Sequence, residues 1–282
     1  MLVTVYIIKL KIARLFGIDF FEVRLYNIIK TFLEVTMFKT GVVSVSFRQL
    51  SVDEVISYTK AAGLAAIEWG SDVHAPYTDK ERLDYIAKAQ AEAGLYCSSY
   101  GTYFKLGEHD TEELRGYIAA AKILGTNILR LWCGNKNYAD LLPEEREHII
   151  SESKKAAKIA EEEGAVLCME CHNRSFTNTL EGALDLMRSV NSPAFRMFWQ
   201  PSITDGFEAN MNYAKEIAPY TYNIHVFYYE DGKKHPLADG VGEWKSYLSC
   251  FSGDRNLLLE FMPDNSPESL ATEAATLNSL IV

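Results

Sequence analysis

Several ionisable side chains stand at the ends of apolar runs: Glu68, Glu170, His172, Glu260, and His225 with Arg130 inside theirs. A lone carboxylate in such a setting costs roughly several kcal/mol to bury unless it is paired or metal-bound. Glu170, His225 and Glu260 would make a hard-metal set if their runs open at one mouth. Glu170 and His172 stand two apart, so on a strand they share a face. Gln200 ends a further run and offers an amide oxygen. Structural roles stay open: Glu68 or Glu170 can pair with Arg130, and His172 suits a substrate contact better than a ligand.

Such residues need elements to aim them, and from Met37 the sequence alternates strand and helix. Predicted strands cover 41–47, 65–69, 95–102, 127–133, 166–171, 195–200, 222–227 and 256–261. Capping boxes at Ser51–Glu54 and Thr78–Glu81 open two helices. Asp110, Pro143, Thr179 and Phe207 open four more, one crosses Trp244 to Cys250, and Ser266-Pro267 opens the last. Gly63, Gly94, Gly125 and Gly164 close four of them. Runs such as Leu257-Leu-Leu259 are apolar on both sides, as a parallel sheet covered by helices requires. Eight strand–helix units over residues 37–282 predict a (β/α)8 TIM barrel in the α/β class, as one domain. An open doubly wound sheet is the alternative, but no glycine-rich phosphate fingerprint follows the first strand. In a barrel of this kind, chemistry sits at the C-terminal strand ends.

Residues 1–36 differ from the rest. They carry a net +2, five basic against three acidic, inside a chain of 282 residues with a net charge of -10. No stretch among them reaches the roughly 18 uninterrupted apolar residues of a membrane helix. Scattered charges also disagree with a signal peptide. They are read as an N-terminal extension outside the catalytic fold, with an interfacial amphipathic helix as the alternative. The acidic balance disfavours nonspecific nucleic-acid binding. Hydrophobic residues make up 48% of the chain, which excludes disorder and small disulfide scaffolds. Five cysteines, an odd number, point to a reducing compartment and hence the cytoplasm. Cys168 and Cys171 form a CxxC inside an apolar run, where the two thiols face opposite ways and serve packing.

Taken together, Glu170, Gln200, His225 and Glu260 resemble the metal positions of the xylose isomerase-like TIM barrels. The likeness is to the sugar phosphate isomerase/epimerase group with its ketose 3-epimerases and hydroxypyruvate isomerases. It covers about residues 41 to 280. Supporting stretches are Ile67-Glu-Trp-Gly-Ser-Asp-Val-His74, Met169-Glu-Cys-His172, Asn223-Ile-His225, Asp239-Gly-Val-Gly-Glu-Trp244 and Leu259-Glu-Phe261. The resemblance implies one divalent metal on those four residues, Mn or Mg favoured, with Co or Zn as alternatives. The family's usual aspartate is replaced by Gln200, which ligates without charge, and a usual histidine three residues later is Ile203.

The chemistry implied is proton abstraction beside the carbonyl of a sugar, sugar phosphate or small hydroxy-ketone. Glu170 and Glu260 are then base and acid, His74, His172 and Glu68 contact substrate, and Trp69 and Trp199 wall the site. Lys233, Lys234 and His235 could meet a phosphate or carboxylate. Two other readings stay open: a non-catalytic sugar-binding barrel, and an apurinic endonuclease-like metal hydrolase, whose resemblance implies a three-metal cluster with several His ligands, whereas two of the six histidines here, His109 and His148, fall in helical or loop context. A homo-oligomer stays open as well.

Overall fold

The computed structural model describes residues 38–281; the N-terminal extension expected over 1–36 lies outside them. Eight parallel strands close into a barrel. They are β1 Phe38–Val43, β2 Ala66–Gly70, β3 Tyr96–Leu106, β4 Ile128–Cys133, β5 Val166–Glu170, β6 Phe195–Trp199, β7 Thr221–Val226 and β10 Arg255–Leu259. Closure is made by β1 on β10, where Phe38 pairs with Arg255 and Val42 with Leu259. Helices follow the strands in turn: α1 Val52–Ala61, α2 Lys80–Glu92, α3 Leu114–Leu124, α4 Pro143–Glu163, α5 Leu180–Val190, α6 Phe207–Ile217, α7 Val241–Leu248 and α8 Leu270–Ser279. The expected (β/α)8 barrel is therefore observed.

Strand pleating divides the apolar residues into two cores. Leu257 and Leu259, Ile224 and Val226, and Leu167 and Met169 face outward and pack under the helices. Val43, Cys168, Phe198 and Leu258 alternate with them and form a small separate cluster inside the barrel. The two thiols of the CxxC divide in this way, Cys168 inside and Cys171 in the outer core.

Four departures from the expected elements have local causes. The first strand ends at Val43, and Ser44–Phe47 form a 3-10 turn. There the Ser44 Oγ accepts the Gly70 N–H at 2.9 Å, so the turn is tied to the end of β2. The third strand runs four residues past Thr102, because after a register shift Lys105 and Leu106 still pair with Trp132 and Cys133. Helix α2 is capped by Asp79, whose side chain accepts from the Arg82 N–H, and not by Thr78. The largest difference is a hairpin between β7 and α7. Its strands are β8 Tyr228–Glu230 and β9 Lys233–His235, antiparallel with Glu230 opposite Lys233. The turn is Asp231-Gly232, both with positive φ (50° and 72°), as the tightest hairpin turns demand.

Candidate metal centre and active site

The site sits directly on the interior apolar cluster. Each step of two along a strand returns to the same face. Two residues beyond Cys168 stands Glu170, two beyond Phe198 stands Gln200, and two beyond Leu258 stands Glu260. On β7 His225 follows the equally buried Asn223, and its ring packs 4.5 Å from that of Phe198. The apolar layer therefore floors the barrel, and the next layer towards the C-terminal ends is polar.

These four side chains converge. The ligating atoms of Glu170, His225 and Glu260 lie within 4.8 Å of one another. His225 Nδ1 is 2.9 Å from Gln200 Oε1, 3.4 Å from Glu260 Oε2 and 3.5 Å from Glu170 Oε1. Gln200 Nε2 donates to the Cys171 carbonyl at 3.0 Å, which turns its oxygen inward. One ring nitrogen, able to donate at most one hydrogen, thus faces three acceptor oxygens. Donor atoms about 2.0–2.6 Å from a shared cation would stand roughly 3–4 Å apart, so the set fits a divalent ion.

The charges agree with that fit. Glu68, Glu170 and Glu260 are all buried, and Arg130 is the guanidinium among them. Arg130 Nε donates to Glu68 Oε1 at 2.8 Å and Nη1 to Glu170 Oε2 at 2.6 Å. Three carboxylates against one guanidinium leave -2 when His225 is neutral, which a divalent cation cancels. Because Gln200 is an amide and brings no charge of its own, no charge is left over. Burial opposes the ionised form of Glu170, but Arg130 outweighs it and holds the carboxyl well below the usual carboxylate range. Glu260 lacks such a partner, and burial together with the charge of Glu170 raises its pKa. Burial disfavours the charged form of His225, yet Glu260 and Glu68 overcome it and raise its pKa.

Glu68 lies behind the histidine. Its Oε2 is 3.5 Å from His225 Nε2, an ion-pair distance, and accepts from Ser99 Oγ at 2.8 Å. Gly101 is required at this point on β3, since a Cβ there would stand 2.6 Å from Glu68 Oε1 and 2.9 Å from Arg130 Nη2.

A cavity of about 330 Å³ opens above the tetrad and is lined by Glu170, Gln200, Glu260, Arg130 and His172, among others. His172 is exposed on the loop after β5 and packs its ring 5.1 Å from that of Trp132. The other expected contacts are corrected. Trp69 and Trp199 occupy outward positions of their strands: Trp69 Nε1 donates to Gln90 on α2 at 2.9 Å, and Trp199 packs against Trp244, Tyr247 and Phe251. His74 is fully buried with Nε2 3.0 Å from the Leu50 carbonyl, and Glu68 lies beneath the cavity without lining it. The aromatic wall is made instead by Tyr103, Trp132, Phe227, Tyr229 and Phe261. The alternation that turns Trp69 and Trp199 outward turns Trp132, two residues after Arg130, inward, and its Nε1 donates to Glu170 Oε2. Tyr229 arrives on the hairpin. Lys234 also does, over the Phe261 ring at 5.2 Å with its amine donated to Asn265.

The barrel is thus closed and parallel, with a buried Glu–His–Glu cluster at its C-terminal mouth. Residues 56–267 match the model of the xylose isomerase-like TIM barrel family, and the chain belongs to that family. A 3-dehydroshikimate dehydratase of Bacillus anthracis is 21% identical over 168 residues, 56% of this chain and 60% of that relative's length. Among solved structures, the probable 3-DHS dehydratase AsbF of the same organism superposes with a TM-score of 0.71 at 17% identity, covering 86% of this chain and 99% of its own. The D-allulose 3-epimerase of Methylomonas sp. gives 0.66 at 14% identity, covering 88% and 99%. Among the described residues no helix is long and apolar enough to cross a membrane.

Proposed function

We propose that this chain is an enzyme that abstracts a proton beside the carbonyl of a small hydroxy-ketone, a sugar or sugar-derived molecule, and depends on one divalent metal. The observation that carries the reading is the meeting of three oxygens on His225 Nδ1 at the floor of the cavity. Glu170, Gln200, His225 and Glu260 would hold the ion, Mn or Mg by donor type, with Co or Zn as alternatives. When bound, it supplies polarisation of the substrate's carbonyl and hydroxyl oxygens and so acidifies the neighbouring C–H.

Glu170 and Glu260 project from strands on different sides of the tetrad and both line the cavity. They are the carboxylates placed to take the proton and return it. Arg130 keeps Glu170 ionised and, with the Trp132 indole, fixes its Oε2, leaving Oε1 towards His225. His172 is placed to orient a substrate hydroxyl. The aromatic wall limits water around the enolised substrate. Return of the proton to the opposite face of the same carbon is epimerisation, and return to the adjacent carbon is isomerisation. Loss of a β-hydroxyl as water is dehydration; the similarity to a dehydratase favours carrying that third outcome beside the first two.

Either Glu170→Gln or Glu260→Gln should leave the fold intact and cut turnover by at least about 100-fold. In deuterated water the wild type should label the carbon beside the carbonyl. Turnover without label would remove the proton-abstraction mechanism. A metal-loaded protein inert towards D-allulose, D-tagatose and 3-dehydroshikimate would move the reading to a sugar-binding barrel.

A further inference from the structure

Arg48, in the loop after β1, lines the same cavity as the tetrad. Its guanidinium is already fixed. Nε donates to Asp72 Oδ2 at 2.5 Å, Nη1 to the Val45 carbonyl at 3.1 Å and Nη2 to the Tyr103 hydroxyl. It also lies over the Tyr103 ring, 5.9 Å from the centroid. A guanidinium has five N–H donors, so these contacts leave two free, and the side chain is 42% exposed. The other guanidinium lining the cavity, Arg130, is committed to Glu68 and Glu170.

In a chain of net charge -10 an anionic substrate needs a local cation to enter. A guanidinium that lines the cavity with two uncommitted donors can take the two oxygens of a carboxylate. A phosphate dianion ordinarily takes more, from a cradle of backbone N–H groups. The wall around Arg48 is aromatic, with Tyr103, Trp132, Tyr229 and Phe261. Such a wall suits a flat carbon skeleton with few hydroxyls better than an open-chain polyol.

We propose that Arg48 is a specificity residue that reads a carboxylate, so that the substrate is a carboxylated hydroxy-ketone on a compact skeleton and not a neutral ketose. The inference rests on the reading above for the hydroxy-ketone and adds the acid group.

The test is calorimetric binding to metal-loaded protein of 3-dehydroshikimate, which carries a carboxylate, and of neutral D-allulose. The wild type should bind the carboxylate probe at least about 10-fold more tightly. Arg48→Gln should weaken that probe by about 10–100-fold, the scale of a lost charge-assisted pair, and change D-allulose by less than twofold. Because Arg48→Gln strands the Asp72 charge, the double variant Arg48→Gln, Asp72→Asn is measured alongside, and the loss should persist in it. Recovery in the double variant would assign the effect to repulsion by Asp72 and overturn the proposal. Equal or tighter binding of D-allulose by the wild type would also overturn it while leaving the metal-dependent chemistry standing. Binding of neither probe overturns it too. Failure to hold metal, scored separately by metal titration, would strike the functional reading; Arg48-dependent preference for the carboxylate probe would then survive alone.

Discussion

At the scale of single residues, the side chain behind the proposed metal ligand His225 matters as much as the ligand. A ligating histidine generally gives its second nitrogen to a carboxylate, which fixes the tautomer and the ring. Glu68 stands in that place, fully buried, with Ser99 and Arg130 holding it in turn. Glu68→Gln should therefore weaken metal binding by about 10–100-fold, read by metal titration, while the thermal melt stays cooperative. Unchanged affinity would reduce Glu68 to a salt-bridge partner of Arg130. The sequence showed Glu68 as a polar end of an apolar strand but not which layer it would occupy. Glu170, Gln200 and Glu260 were legible as polar ends of apolar runs and His225 as a polar residue inside one, and the resemblance grouped the four. The aromatic wall was less so. Trp132 shares parity with Arg130 and was readable from alternation, whereas Trp69 and Trp199, beside Glu68 and Gln200 in sequence, necessarily point the other way. Phe261 and Tyr229 depend on a strand-end backbone of φ 57° and on the hairpin, which no periodicity announces.

At the scale of elements, strands and helices followed from apolar runs, caps and closing glycines, and boundaries shifted where a side chain captured a neighbouring backbone, as Ser44 does. The hairpin's one local sign was Asp231-Gly232, a strong turn pair between residues too polar to read as strands. The segment after it is tied down by Glu273 of α8, whose Oε2 accepts the Leu237 N–H at 2.9 Å. Burial raises the pKa of Glu273, against the lowering effect of that hydrogen bond. A carboxyl with a raised folded pKa stabilises most below its unfolded value and loses that contribution as pH rises through the folded one. Glu273→Gln keeps an acceptor for Leu237 without the charge. Its melting temperature relative to wild type should therefore be level in acid and rise through the window above the ordinary glutamate pKa. A variant equally destabilised at all pH values would show that the hydrogen bond needs the carboxylate.

At the scale of the whole molecule, the barrel joins a well-packed outer core to an interior that is charged near its mouth. Eight strands meet in register around it, with Glu68, Arg130, Glu170, His225 and Glu260 contributed by five of them or by their ends. With His225 neutral and the three carboxylates ionised, a net charge of -2 held in common by those strands opposes closure, since like charges at low dielectric repel. A divalent ion held by Glu170, Gln200, His225 and Glu260 would remove that opposition. Binding to the folded chain alone raises stability by mass action, about 2.7 kcal/mol when free metal is 100 times the dissociation constant. For a chain of this size that corresponds to roughly 5–10 °C in Tm, on a scale of about 2–4 °C per kcal/mol. Chelator-treated protein should melt lower by that amount, recover on addition of Mn, and show a Tm that climbs with the logarithm of metal concentration. His225→Ala should abolish the climb, because it removes the nitrogen on which the three oxygens converge. A wild-type Tm indifferent to chelator and to added Mn, Mg, Co or Zn would mean that Arg130 and protonation of both His225 and Glu260 neutralise the interior by themselves, and the metal centre would have to be withdrawn.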